Sequence, residues 1–188
     1  MRALFLLATH LLTGCSAVTL AGIDAAARLD PLGTPPDAIS VAVAVPPQLQ
    51  LRDGDAVLRI ALAGPDGPLV SETVPLRIVP ATDAVAGTSP ADRLFVARVG
   101  PAEAARFAGA QAEIRRLRAA DQGGRGSLTV AVRGGCLTAP LGDTLPVTTW
   151  LRPAPDADFV QLSRRSDVLA RLDPDARDAF RAALSPCP

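Results

Sequence analysis

The chain has 188 residues, room for one ordinary domain together with a tether. Its 48% hydrophobic content is ample for a core, but aromatic residues are only 3%, so that core must be built mostly from Ala, Val and Leu. Basic and acidic residues balance at 19 each, which argues against a nucleic-acid binder, since binding there runs on an excess of positive charge that displaces counterions from phosphates.

Every basic residue is Arg, and Lys, Asn and Tyr do not occur. A GC-rich codon bias toward Ala, Arg, Gly and Pro accounts for this. The abundance of Arg is therefore not in itself a sign of phosphate or carboxylate recognition.

In chain order, Met1-Arg2 supplies one positive charge, and an apolar run of about ten residues follows, from Ala3 to Leu12. That is the length of a signal-peptide core and short of the roughly 20 apolar residues of a membrane span. Leu12-Thr13-Gly14-Cys15 comes next. The tetrad resembles the lipobox of bacterial lipoproteins: an aliphatic residue, two small ones, then the cysteine that receives lipid and becomes the new N-terminus. The alternative is a buried first helix that happens to contain a cysteine.

The resemblance implies a signal peptide over 1–14, lipidation at Cys15 and a tether over 15–37; the remaining 38–188 is expected to be one domain, β-rich by the strand patterns that follow. It further implies attachment to a membrane on its periplasmic side. In lipoproteins of enteric bacteria an Asp after the cysteine retains the protein in the inner membrane; Ser16 stands here, which favours the outer membrane. The likeness covers the export segment and says nothing about the domain.

Within the tether, Pro35-Pro36 blocks helix propagation. Ile39-Ser40-Val41-Ala42-Val43-Ala44-Val45 alternates large and small, the period of a strand with one buried face. A second such run over 56–62 puts Leu58, Ile60 and Leu62 on one side, and a turn cluster over 64–68 leads to strands over 69–73 and 76–79. Pro75 between them suggests a sheet edge or a bulge. A strand over 94–99 is followed by Gly100-Pro101, a helix start with Pro at the first position, and the helix is expected over about 101–121. Phe107, Ala110, Ile114 and Leu117 form its apolar stripe, and Gly123-Gly124 is its expected stop. Further strands are expected over 128–132, 145–151 and 159–162, then a helical turn over 166–172. A short terminal helix over about 174–184 should open with Asp173 as N-cap and Pro174 as the first residue. Roughly seven or eight short strands with one central and one terminal helix indicate a mainly β antiparallel sandwich; the competing architecture is an α+β antiparallel sheet packed on a helix.

With Cys15 assigned to lipid, Cys136 and Cys187 remain as an even pair in an oxidising compartment, and a disulfide between them is the natural reading. Two buried free thiols are the alternative; a metal site is poorer, because two sulfurs without histidine leave the coordination shell incomplete. His10 is the only histidine and leaves with the signal peptide. The mature chain then has no His, Lys or Tyr, which removes Ser-His-Asp and Cys-His catalysis, Schiff-base lysines and histidine-bound zinc. Gly123-Gly124-Arg125-Gly126 precedes a strand, the wrong context for a helix-capped phosphate site.

The acidic pairs Asp53/Asp55 and Asp156/Asp158 have the chemistry for calcium or for acid–base hydrolysis, but both fall in turns, where Asp bonds its own backbone. Trp150 is either a core anchor or part of a binding surface. The Arg106, Arg115, Arg116, Arg118 and Arg125 group is either a solvated, dipole-complementing helix face or a surface for anionic lipid. No catalytic, cofactor or metal residue is assigned. The expected role is a non-enzymatic envelope interaction or assembly module with a protein partner. The alternatives are a carrier or chaperone for a lipid or hydrophobic segment, which a large dry cavity lined by Val, Leu and Phe between sheet and helix would favour and a filled core would count against, and a carboxylate-based hydrolase, which requires converging acids.

Overall fold

The computed structural model describes residues 30–79, 81 and 85–188. Cys15, Ser16, the expected signal peptide over 1–14 and most of the expected tether over 15–37 lie outside the described residues.

The domain is mainly β, and its strands are β1 (Ser40–Val45), β2 (Leu49–Gln50), β3 (Ala56–Gly64), β4 (Gly67–Val79), β5 (Arg93–Val99), β6 (Arg125–Val132), β7 (Cys136–Leu137), β8 (Pro146–Arg152), β9 (Val160–Asp167) and β10 (Ser185–Pro186). Two α-helices accompany them, α1 (Pro101–Ala119) and α2 (Pro174–Ala183). Seven strands form one antiparallel sheet in the order β6-β3-β4-β5-β1-β8-β9. The remaining three form a small sheet, β10-β7-β2, in which β10 runs parallel to β7. The two sheets are thus very unequal, and α1 packs on the inner face of the large one, chiefly against β4 and then β3.

The inner face is set by alternation. Val41, Val43 and Val45 of β1, Leu58, Ile60 and Leu62 of β3, and Val74 and Leu76 of β4 enter one apolar cluster with Phe107, Ile114 and Leu117 of α1. Leu49, Leu145, Leu169 and Leu184 belong to the same cluster, so the small sheet and the C-terminal segments share this core.

The sequence pattern of β1 points to one buried face, yet all six of its residues are buried. The reason is cross-strand: Ala42 lies opposite Trp150, and Ala42, Ala44, Trp150 and Val85 form a second cluster flanked by Leu94 and Phe159. Trp150 is therefore a core residue, 2% exposed, of this smaller cluster.

Pro75 does not mark an edge or break the strand. β4 is continuous and lies between β3 and β5. Pro75 is the last residue paired with β3, opposite Val57, and pairing with β5 begins at Leu76. A proline fits where one ladder hands over to the next, because a missing N–H there removes little pairing.

Helix α1 also ends differently from expectation. It stops at Ala119, and Asp121 takes the left-handed conformation, φ 56°, with the Gln122 N–H donating to Leu117 O at 2.9 Å. Gly124 serves the next element instead: a Cβ there would stand 2.0 Å from the Ala63 carbonyl oxygen, so only glycine lets the start of β6 lie against β3. The segment over 166–172 is β9 to Asp167 and then a 3-10 turn, Leu169–Arg171. Helix α2 begins as expected, with the Asp173 carboxylate accepting from Ala176 N at 2.8 Å and Pro174 at the first position.

Candidate functional site

The described part of the expected tether is strapped to α1. Asp30 folds the strap into a turn: its Oδ1 accepts from Gly33 N at 2.9 Å and Leu32 N at 3.3 Å, while its carbonyl accepts from Thr34 N at 2.9 Å. Gln111 then holds the turn, its Nε2 donating to Pro31 O at 2.8 Å and Thr34 O at 2.9 Å. Arg115 donates to Leu32 O. Gln111 is 3% exposed, so both carbonyl bonds run through a buried amide. We expect Gln111→Ala to cost about 1–3 kcal/mol, because it leaves two carbonyls with no donor in a water-poor site. Urea denaturation gives the loss, and faster amide exchange confined to 31–34 gives its location; unchanged exchange there would refute the strap.

This strap closes one end of a cleft of about 510 Å³ between α1 and the large sheet. Its apolar wall comes from Leu32, Ile60, Ile114 and Leu128, and its polar rim from Asp30, Arg118 and Ser127. The cleft exists because α1 lies over β4 and β3 rather than over β6. As a result the inward side chains of β6, Leu128 and Val130, are only partly covered. Its walls are nevertheless fixed. Ile60 and Ile114 are core residues at 2% and 1% exposure, and the strap is held by Gln111.

Of the five arginines considered from sequence, Arg125 is the exposed first residue of β6, and the four on α1 separate into distinct roles. Arg106 donates to Glu72 Oε1 at 2.5 Å and Thr73 O at 3.1 Å, tying α1 to β4. Arg116 makes a two-point contact with Glu113 at 2.8 and 2.6 Å. That hydrogen bond holds the Glu113 carboxyl below its ordinary range and the guanidinium above its own. Arg115 belongs to the strap. Arg118 makes no ion pair among the described residues, and its Nη2 lies 2.6 Å from where a Cβ on Gly126 would stand. Glycine at that position lets the guanidinium rest on the end of β6, at the mouth of the cleft.

The acidic pairs do not converge. Asp53 Oδ1 accepts from Ile78 N at 2.8 Å and Asp55 Oδ2 from Arg52 N at 2.8 Å, so both carboxylates structure the turn before β3. Asp156 and Asp158 lie in the separate loop between β8 and β9. Among the described residues no three His, Cys, Asp or Glu side chains gather as a metal site. One carboxylate that the sequence did not single out is Asp92, just before β5. Its Oδ2 meets Arg165 at 2.5 Å, while its buried Oδ1 has no hydrogen-bond partner among the described residues.

Cys136 and Cys187 stand at bonding distance, S–S 2.08 Å and Cα–Cα 4.8 Å. The bridge fastens the parallel pair β7 and β10, alongside the Cys187 N–H bond to Leu137 O at 2.9 Å.

No family model, curated protein or solved structure matches the chain. Among the described residues no helix is long and apolar enough to cross a membrane. The functional reading therefore rests on the residues themselves. Of those that build the cleft, Gln111 had a sequence signal: it lies four residues after Phe107, inside the apolar stripe, where a polar residue must find a buried partner. Leu32 had none, because its partner is 80 or so residues away in sequence and no local period points to it.

Proposed function

We propose that this chain is an envelope lipoprotein, cut before Cys15, held by acyl chains on that cysteine, and facing the periplasm with a binding domain rather than a catalytic one. The single structural observation that supports export is the Cys136–Cys187 bridge, since structural disulfides belong to oxidising compartments. The leader and its lipobox-like tetrad supply the route there. Several acyl chains on one residue give stable attachment, each buried methylene contributing about 0.8 kcal/mol. Ser16 favours the outer membrane. The roughly fifteen residues from Cys15 to Asp30 reach at most about 50 Å, so the domain works close to the bilayer.

The test is Cys15→Ala. The protein is expected to leave the membrane fraction, and the wild type to incorporate labelled palmitate. Membrane fractionation unchanged by the substitution, with no label in the wild type, defeats the anchor.

Within this reading a protein-interaction module and a carrier for a lipid or hydrophobic segment are the two roles to weigh. The core between α1 and the sheet is filled, with Ile60 and Ile114 only 2% and 1% exposed, which counts against the carrier and favours the interaction module. The cleft of about 510 Å³ beside it is open to solvent and has Asp30, Arg118 and Ser127 among its lining residues.

A further inference from the structure

Resting on the interaction-module reading, we propose that β6 is a docking strand: an extended acidic segment of a partner protein adds to its free edge, with adjacent carboxylates on Arg118 and Arg125.

The large sheet has two outer strands, β6 and β9. An outer strand turns the N–H and C=O of every second residue away from its one neighbour, ready to pair with another chain, and folds blunt such edges with bulges and charge. Strand β9 is blunted in both ways. Its register with β8 shifts twice, and Arg164, Arg165 and Asp167 lie along it, with Arg165 paired to Asp92. Strand β6 has neither device. It pairs with β3 without a shift from Arg125 to Val132, contains no proline, and carries its single charge at its first residue. Arg125, Gly126, Ser127 and Thr129 are exposed, and at Gly126, which has no side chain, it is the main chain that meets solvent.

Charge selects the occupant. Leu128, Val130 and Val132 turn inward, so Arg125 lies on the outer face of the sheet. On the inner face the Arg118 guanidinium reaches over Gly126, its Nη2 2.6 Å from where a Cβ there would stand. Neither arginine makes a hydrogen bond or ion pair among the described residues. Asp30, which shares the cleft with Arg118, turns its Oδ1 onto the Leu32 and Gly33 N–H groups instead. The start of β6 therefore has one uncommitted cation on each face. Adjacent residues of an added strand also point to opposite faces, so two consecutive acids opposite Arg125 and Gly126 would each meet a guanidinium. A second copy of β6 offers no carboxylate, and in residues 16–29 Asp24 is balanced by Arg28, so charge favours neither as the occupant.

The full chain is exported so that the bridge forms, purified in detergent, and titrated against a fluorescent peptide of alternating Thr and Val that ends in two Glu, followed by anisotropy. Paired antiparallel, as every strand of the large sheet is, the peptide sets Val opposite Leu128 and Val130 and the Glu pair opposite Gly126 and Arg125. Saturable binding of one peptide per chain is expected, weakening as salt rises. Arg118→Gln and Arg125→Gln, both at exposed positions, are each expected to weaken it about threefold, and a peptide ending in two Lys should not bind. Peptides N-methylated at alternate residues separate main-chain pairing from charge. Methylation of one alternate set should abolish binding, and methylation of the other should leave it unchanged.

Equal effects of the two methylated sets overturn strand addition, and unchanged affinity in both Arg variants overturns the acidic preference. Absence of saturable binding overturns the proposal outright. A dimer in sedimentation would then mark a second copy on β6, and binding restored by removing residues 16–29 would mark the chain's own segment there. A photocrosslinking residue in place of Thr129 or, on β9, Gln161 judges the wider reading in intact membranes. Protein adducts from Gln161 alone leave an interaction module without β6, and adducts from neither position remove the module as well.

Discussion

Replacing Cys136 and Cys187 together by Ser is expected to lower the unfolding free energy by about 4 kcal/mol. The bridge spans a sequence separation of 51 residues, and closing a loop of that length removes roughly this much free energy's worth of chain entropy from the unfolded state. A domain of this size is stable by only about 5–15 kcal/mol in all, so the loss is a large fraction. The native side of the bridge explains where the effect concentrates. Strand β10 has two residues, both exposed, and α2 has no buried residue at all. Beyond the bridge, the C-terminal segment is held by Leu184 in the core, by Arg177 donating to Leu169 O at 3.0 Å and by Arg181 donating to Gly142 O at 3.0 Å. Amide exchange over 174–188 should therefore rise first, before global unfolding. Chemical denaturation of the native and doubly substituted chains measures the loss. Two thiols alkylated freely without reductant, or identical denaturation midpoints, would contradict the bridge as a stabiliser.

How much of this architecture was legible follows from the range over which each signal acts. The long strands and both helices announce themselves through local periods and punctuation: the Val alternation of β1, the inward trio of β3, Pro101 at the start of α1, and Asp173-Pro174 at the start of α2. Strands β2, β7 and β10 have two residues each, too few to carry any period. They exist because Leu49, Cys136 and Ser185 are brought together across the fold. The outer face of β1 was hidden for the same reason, since Ala42 and Ala44 look like small solvent-facing residues until Trp150 is laid across them.

The site divides along the same line. The pairing of the last two cysteines was readable from residue chemistry and count; the lipobox-like tetrad lies outside the described residues. The cleft was not readable, because it depends on where α1 comes to rest on the sheet, and on Gln111 capturing a strap from far back in the chain.

Phe107→Ala is expected to cost about 3–5 kcal/mol, the range for removing a fully buried aromatic ring. Phe107 is 0% exposed and heads the fully buried side chains by volume. It sits in the second turn of α1, where it enters the core shared by β3 and β4. The consequence reaches beyond stability. Helix α1 carries Gln111, Ile114, Arg115 and Arg118, so it holds the strap and supplies both an apolar wall and the cation of the cleft. A shift of α1 should therefore open the strap at temperatures where the sheet is still folded. Phe107→Leu keeps most of the volume and should cost under about 1.5 kcal/mol. Phe180→Ala, at a partly buried position of α2, should cost less than Phe107→Ala. Urea denaturation ranks the three variants, and amide exchange over 31–34 reads the strap. A loss below about 1 kcal/mol for Phe107→Ala, or a strap untouched by it, would mean that α1 is held to the sheet by something other than this ring.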